Sequence, residues 1–268
     1  MKSTQLISVA IVFMVFAVIA CDTGQAEWKS QRIDGAGSVV RVSRDVGDFT
    51  GVHLSTIGTV HVKIGKAEGL EIEAEENLIE YIETEVEDGN LKISNRRKFN
   101  LKAKEPIKYF VTVKKLHRIA LSSSGDAVLP QIENKSFSIA LSSSGDLEAR
   151  GLAVGHLDVS LSSSGDAYIE MIGAESIDAA LSSSGDLQFG GGEVGDLNLS
   201  ISSSGDFDGV DLKADRAMVK ISSSGDAYVW VTDALVATLS SSGSVHYSGD
   251  PVVTRQRSSS GRIKRMGD

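Results

Sequence analysis

Twenty-four serines, set in eight identical Ser-Ser-Ser-Gly groups, are the most numerous residues in this 268-residue chain that could do chemistry. A serine becomes a nucleophile only with a general base in reach. The five histidines, His53, His61, His117, His156 and His246, fall at different phases of the serine spacing or outside it, and none adjoins a serine group in sequence. No Gly-x-Ser-x-Gly nucleophile elbow is present either. Six of the groups run directly into an aspartate, giving Asp126, Asp146, Asp166, Asp186, Asp206 and Asp226. Carboxylates are Ca2+ ligands, so this regular set is the candidate ligand or cation face. Calcium-binding β-rolls, however, repeat every nine residues with paired glycines, a pattern absent here. The competing role is structural, each aspartate accepting a backbone hydrogen bond at a turn. Polysaccharide cleavage by carboxylates needs a singular pair at a set separation. These aspartates are equivalent to one another, so the sequence is read as a non-enzyme with no assigned cofactor.

The one cysteine carries a different chemistry. Met1-Lys2 followed by the apolar run Leu6 to Ala20 has the form of an export signal, too short and too abruptly ended for a permanent span. Val18-Ile19-Ala20-Cys21 resembles a bacterial lipobox, which makes Cys21 the expected lipidation site and residues 1–20 the signal. With no second cysteine an intramolecular disulfide is excluded. The net charge of −9 gives no general attraction for nucleic acid or anionic lipid surfaces. The expected membrane partner is therefore reached through an acyl anchor.

The elements that must position the serines and aspartates are announced by the spacing itself. The groups begin at Ser122, Ser142, Ser162, Ser182, Ser202, Ser222, Ser240 and Ser258, twenty residues apart five times and eighteen twice. Apolar residues follow each group (Ala127, Leu147, Ala167, Leu187, Phe207, Ala227) and alternate into the next, as in Phe137, Ile139, Leu141 and Leu157, Val159, Leu161. Alternation marks strands with one buried face. A unit of this length suits one coil of an all-β fold, a right-handed parallel β-helix or solenoid with coils of about 20 residues. The parity puts the middle serine of each group inside, where its hydroxyl could join a coil-to-coil ladder. It puts the glycine at a corner expected to need a positive φ, and the aspartates in a column outside it. Ser244 and Arg262 replace aspartate in the last two units, and Arg255, Arg257, Arg262, Lys264 and Arg265 make a basic end that reads as a cap. The flanking serines form hydroxyl rows, Tyr168 and Tyr228 share a repeat phase that the alternation places outside, and with Trp230 they are the aromatics that could stack on a sugar.

Residues 21–34 read as a linker, 35–120 as β-rich opening coils or a cap, and 121–268 as the regular solenoid. In the opening third Gly51-Val-His-Leu-Ser, Thr59-Val-His-Val-Lys-Ile, Leu70-Glu-Ile-Glu-Ala and Tyr109-Phe-Val-Thr-Val are strands, Asp88-Gly89-Asn90 is a turn, and Glu76 to Glu87 fits helix or strand. Leu54-Ser-Thr-Ile-Gly58 is a degenerate serine group. Together, Gly51 to Ile64, the Asp88-Gly89-Asn90-Leu91-Lys-Ile turn and strand, and the recurrent Ser-Ser-Gly-Asp resemble the bacterial family called auto-transporter adhesin, head GIN domain, over roughly residues 35 to 250. The resemblance implies a secreted or lipid-anchored β-helix of the cell envelope acting as an adhesin-like binding or scaffold module, with glycan or envelope polymer as partner. Two alternatives are a structural or sensing component binding cations or polymer through the aspartates, and a divergent carbohydrate-active enzyme. Replacing Cys21 with Ser is expected to abolish metabolic labelling by a radioactive fatty acid and to move the chain from the membrane to the soluble fraction. Unchanged labelling would contradict the anchor.

Overall fold

The computed structural model describes residues 30–258 and 260–267; Cys21 and the apolar run before it lie outside the described residues. No helix among the described residues is long and apolar enough to cross a membrane. The chain winds into a parallel β-solenoid of about seven turns. The long strands Asp126–Leu141 and Leu147–Leu161 each run from one serine group to the next and pair in register, Phe137 on Leu157, Ile139 on Val159 and Leu141 on Leu161. The same columns continue through Ile177, Ala179 and Leu181 to Leu197, Leu199 and Ile201. At the usual strand spacing of about 4.8 Å, seven turns make a rod of roughly 34 Å.

The core is filled by these columns, and its volumes are balanced within every regular coil but that of Leu187 and Phe189, where both inward residues are large and Phe189 has Gly209 over it in the next coil. After the serine group the inward pairs are Ala127/Leu129, Leu147/Ala149, Ala167/Ile169, Phe207/Gly209 and Ala227/Val229, with each apolar side chain 1% exposed or less. A small residue in one column thus stands beside a large one in the next. At Gly209 a Cβ would meet the Phe207 ring at 2.6 Å. Each fully enclosed Leu or Ile contributes about 1.5–3 kcal/mol, so the ladder of equivalent coils is held mainly by its interior.

At the base, Leu54-Ser-Thr-Ile-Gly58 lies under the first regular serine group. Leu121 sits on Leu54. Ser122 N–H donates to the Leu54 carbonyl at 3.0 Å and Asp126 N–H to that of Gly58 at 2.8 Å. Strands Gly51–Ser55 and Thr59–Ile64 rest in turn on Asn90–Asn95 and Lys108–Val113, still in parallel. Below that the sheet turns antiparallel, with Gly69–Glu75 between Lys108–Val113 and Val39–Arg44. The ambiguous segment divides into a 3-10 helix, Glu76–Tyr81, and a strand, Ile82–Glu87. Asp88 and Gly89 (φ 49 and 72) close the hairpin with two positive φ values. The polar stretch ending at residue 34 is not all linker, because Gln31–Asp34 pairs with Phe99–Lys102. At the other end Arg257 donates to the Gly261 carbonyl at 3.1 Å and Arg265 to that of Gly249 at 2.8 Å. Guanidinium groups thereby cover carbonyls that have no further coil to receive them.

Two expectations about the corner are corrected. The motif glycines do not adopt positive φ; among the described residues the glycines that do are Gly37, Gly58, Gly89, Gly192, Gly249 and Gly267. Glycine is needed because neighbouring coils touch backbone to backbone: a Cβ on Gly145, Gly165, Gly185, Gly205 or Gly225 would lie closer than 3.0 Å to the carbonyl oxygen of the glycine one coil earlier. Nor do the middle serines form an enclosed hydroxyl ladder. Ser143, Ser163, Ser183 and Ser203 are half-buried, and it is their carbonyls that accept, from Gly165, Gly185, Gly205 and Gly225 N–H at 2.9–3.0 Å. Gly185→Ala is expected to destabilise the rod by at least about 1–3 kcal/mol in urea unfolding, as an overpacked core does. Gly173→Ala, with nothing within 4 Å of its Cβ, should change it by less than about 0.5 kcal/mol. Equal effects would contradict this packing.

Candidate functional site

The aspartates after the serine groups are brought into one column, and the geometry gives each a partner. Oδ1 of Asp126, Asp146, Asp166, Asp186 and Asp206 accepts the backbone N–H of the aspartate one coil on, at 3.1, 2.9, 2.8, 2.7 and 2.7 Å. The ladder starts at Asp126, whose own N–H goes to Gly58, and ends at Ser244, whose N–H donates to Asp226 Oδ1 at 2.7 Å. The carbonyls of Asp146, Asp166, Asp186, Asp206 and Asp226 meanwhile accept from the residue after the aspartate one coil earlier, as from Ala127, Leu147 and Ala167 at 2.9 Å. The backbone at this corner is therefore bonded in both directions along the rod. Neighbouring carboxylates repel by about 1 kcal/mol in water, and a charge-assisted bond to N–H offsets this. Among the described residues no three acidic, histidine or cysteine side chains converge as a metal site would require.

The serine rows divide by position. The first serine turns back on its own coil stack, with Ser142, Ser162 and Ser182 hydroxyls donating to the carbonyls of Leu121, Leu141 and Leu161 at 3.3–3.4 Å. The third serines, Ser124, Ser144, Ser164 and Ser184, are exposed. Beside the first serines, on the outward side of the strands entering each group, runs a column of small residues: Ala120, Ala140, Ser160, Ala180 and Ser200. His53 stands below it and Lys220 above. Two shallow hollows open on this one lateral face. One, of about 260 Å3, is lined by Asp158, Asp178, Asn198, Met218 and Lys220 among others. The other, of about 500 Å3, lies at the base among His53, Asn90, Lys92, Arg118, Ser122 and Ser142.

Histidine and serine do meet in space, which the linear sequence conceals. His53 Nε2 is 2.7 Å from Ser122 Oγ. His156 Nδ1 is 2.9 Å from Ser176 Oγ, with Asp178 Oδ2 3.7 Å from its other nitrogen. That carboxylate is beyond hydrogen-bond distance, and His156 and Asp178 are 41% and 53% exposed, so the imidazole is not oriented as a buried general base would be. Residues 156 and 176 are one repeat apart, and the twenty-residue period could have placed them together. His53 precedes the regular repeats and offered no such signal. Burial first, then the charges of Lys92 and Arg118, hold the His53 pKa below its ordinary value. Of the outward aromatics, Tyr228 stacks on His246 with centroids 4.9 Å apart, while Trp230 is 37% exposed.

A rod of equivalent stacked β-coils with laterally continuous faces places the chain in the solenoid class. Within that class the chain belongs to the family described as "Putative auto-transporter adhesin, head GIN domain", whose model matches residues 48–251. Its fold is shared by the solved structure of a "putative adhesin" from Parabacteroides merdae ATCC 43184, at 17% identity and a TM-score of 0.81, covering 88% of this chain and 99% of that one. It is shared also by a "putative adhesin" from Parabacteroides distasonis ATCC 8503, at 20% identity and TM-score 0.80 over 88% and 100% of the two chains. A "putative lipid binding protein" of the same organism is similar at 24% identity and TM-score 0.72 over the same shares. No curated protein matches the chain.

The aspartate ladder makes a direct prediction. Asp186→Asn keeps an acceptor for the Asp206 N–H and should leave unfolding within about 0.5 kcal/mol of the parent. Asp186→Ala removes the acceptor and should cost about 1 kcal/mol. Equal urea midpoints for the two variants would show that the bond contributes nothing.

Proposed function

We propose that this chain is an adhesin-like binding module of a bacterial cell envelope, held to a membrane by acylation at Cys21. It engages an extended glycan or envelope polymer along its side. The observation that carries this is the lateral face itself: the column from Ala120 to Ser200 runs in register across consecutive coils and both hollows open on it. An extended polymer can contact successive coils there without any loop moving aside. Membership of an adhesin family supports the same role. A binding module, and not an enzyme, also suits coils whose outward groups repeat instead of converging on one reacting centre.

The aspartate column supports a narrower second reading, in which it contacts a cation or polymer. Each Oδ1 is taken by a backbone N–H, and the second oxygen lies on an exposed residue at Asp146, Asp166, Asp186 and Asp206. The two readings separate in one experiment. Residues 22–268, which include every described residue, are passed over arrays of glycans and envelope polymers with and without calcium. A parallel variant carries Asn at Asp146, Asp166, Asp186 and Asp206. Binding that survives the substitutions and needs no calcium places the contact on the lateral face. Binding lost in the variant, with a melting temperature raised by calcium in the parent only, moves it to the aspartates. Absence of binding to every polymer would overturn both and leave a structural rod.

A further inference from the structure

The hollow at the base of the lateral face gathers cationic side chains in a protein of net charge −9, as does the basic end at the opposite tip of the rod. Three parallel strands build it: Asn90–Asn95, Gly51–Ser55 and Arg118–Leu121. His53 lies in the middle strand, with Lys92 on one side and Ala120 on the other. Gly51 lies between Asn90 and Arg118, and its missing side chain keeps the space open, since a Cβ there would run into the Asn90 amide and sit 3.6 Å from Arg118 Cβ. Ala120 and Ala140 leave the floor above His53 low, and Ser122 and Ser142 edge it with hydroxyls. Lys92 is paired with Glu87 at the rim. Arg118 is exposed and has no acidic partner among the described residues.

We propose that this hollow, of about 500 Å3, binds the carboxylate of an acidic saccharide, with Arg118 as the cation, Lys92 beside it in its pair with Glu87, and His53 and Ser122 as hydrogen-bonding neighbours. An unpaired guanidinium presents a planar fork matched to a carboxylate, in a chain whose net charge is −9. The hydroxyls of Ser122, Ser142 and Ser162 line the same hollow and suit sugar hydroxyls. Charge also sets the density of the ligand. The column holding Arg118 continues through Ser138 to Asp158 and Asp178, so a polymer bearing an anion on every residue is repelled two coils further on. A largely neutral saccharide with isolated uronic acids meets no such penalty.

The proposal rests on the lateral face being the binding surface. His53 reports on it directly: from the adjoining strands Lys92 and Arg118 face it, with Glu85, Glu87 and Asp88 beyond Lys92. A bound carboxylate offsets the two cations, so it should raise the His53 midpoint toward the ordinary histidine value, and binding should tighten as pH falls through that midpoint. The test follows the His53 ring proton by NMR in residues 22–268 during addition of glucuronate, glucose or inorganic phosphate. Vesicles of phosphatidylglycerol test a lipid source. The expected result is a His53 shift with glucuronate, none with glucose, and at least fivefold weaker glucuronate binding in Arg118→Ala with its circular dichroism unchanged. No response to glucuronate, an equal response to phosphate, binding to the vesicles instead, or an unaffected Arg118→Ala variant would each overturn the proposal. Polymer binding that persists in Arg118→Ala removes this subsite while leaving the lateral face as the adhesive surface.

Discussion

Everything in this rod depends on coils approaching until backbone meets backbone at the Ser-Gly corner. Along the strands the coils are joined by parallel ladder pairing with side chains set to either face; at Gly145, Gly165, Gly185, Gly205 and Gly225 there is no room for even one methyl against the carbonyl of the coil below. That closeness lets the glycine N–H reach the middle serine's carbonyl and the aspartate N–H reach the previous aspartate's carboxylate. The corner is thus satisfied without loops, and buried or half-buried backbone groups are not left unpaired. Short corners keep successive strands in register, and the register produces the straight columns of the lateral face.

The same constraint explains why the recurrent motif is structural in most of its atoms. The glycine is fixed by contact, the first serine by a carbonyl one coil earlier, and the aspartate by the next amide. A motif repeated in equivalent places along a rod is what coil stacking requires, whereas recognition needs places that differ. The differences lie at the ends: His53, Lys92 and Arg118 at the base, Lys220 and the arginines toward the top. The antiparallel strands beneath the first coil, and the guanidiniums over the last, close a structure that would otherwise present open strand edges.

Much of this architecture was legible because the period is written in the chain. The twenty-residue spacing gave the parallel coils, the alternation at Phe137, Ile139 and Leu141 gave the buried face, and Leu54 to Gly58 was recognisable as a degenerate serine group, though not as the seat of the first regular one. The reason for the glycine was not legible. A glycine at a corner looks the same whether it is demanded by φ or by a carbonyl one coil away, and only the stacked coils distinguish the two. The serine parity was right in direction, since the middle serines are half-buried where their neighbours are exposed, yet it is their carbonyls and not their hydroxyls that link one coil to the next. The basic hollow stayed hidden for a different cause. Residues 53, 92 and 118 come from three strands joined by non-repetitive chain, and no spacing relates them.

The most direct test of the central claim is amide hydrogen exchange at the corner, measured residue by residue under native conditions. If coils are locked backbone to backbone, the amides of Asp166, Asp186 and Asp206 exchange as slowly as those of Gly165, Gly185 and Gly205, since each has an acceptor one coil away. Exchange of the aspartate amides at the rate of unstructured chain, beside protected glycines, would show that the carboxylates do not hold them and that the column is free for another role.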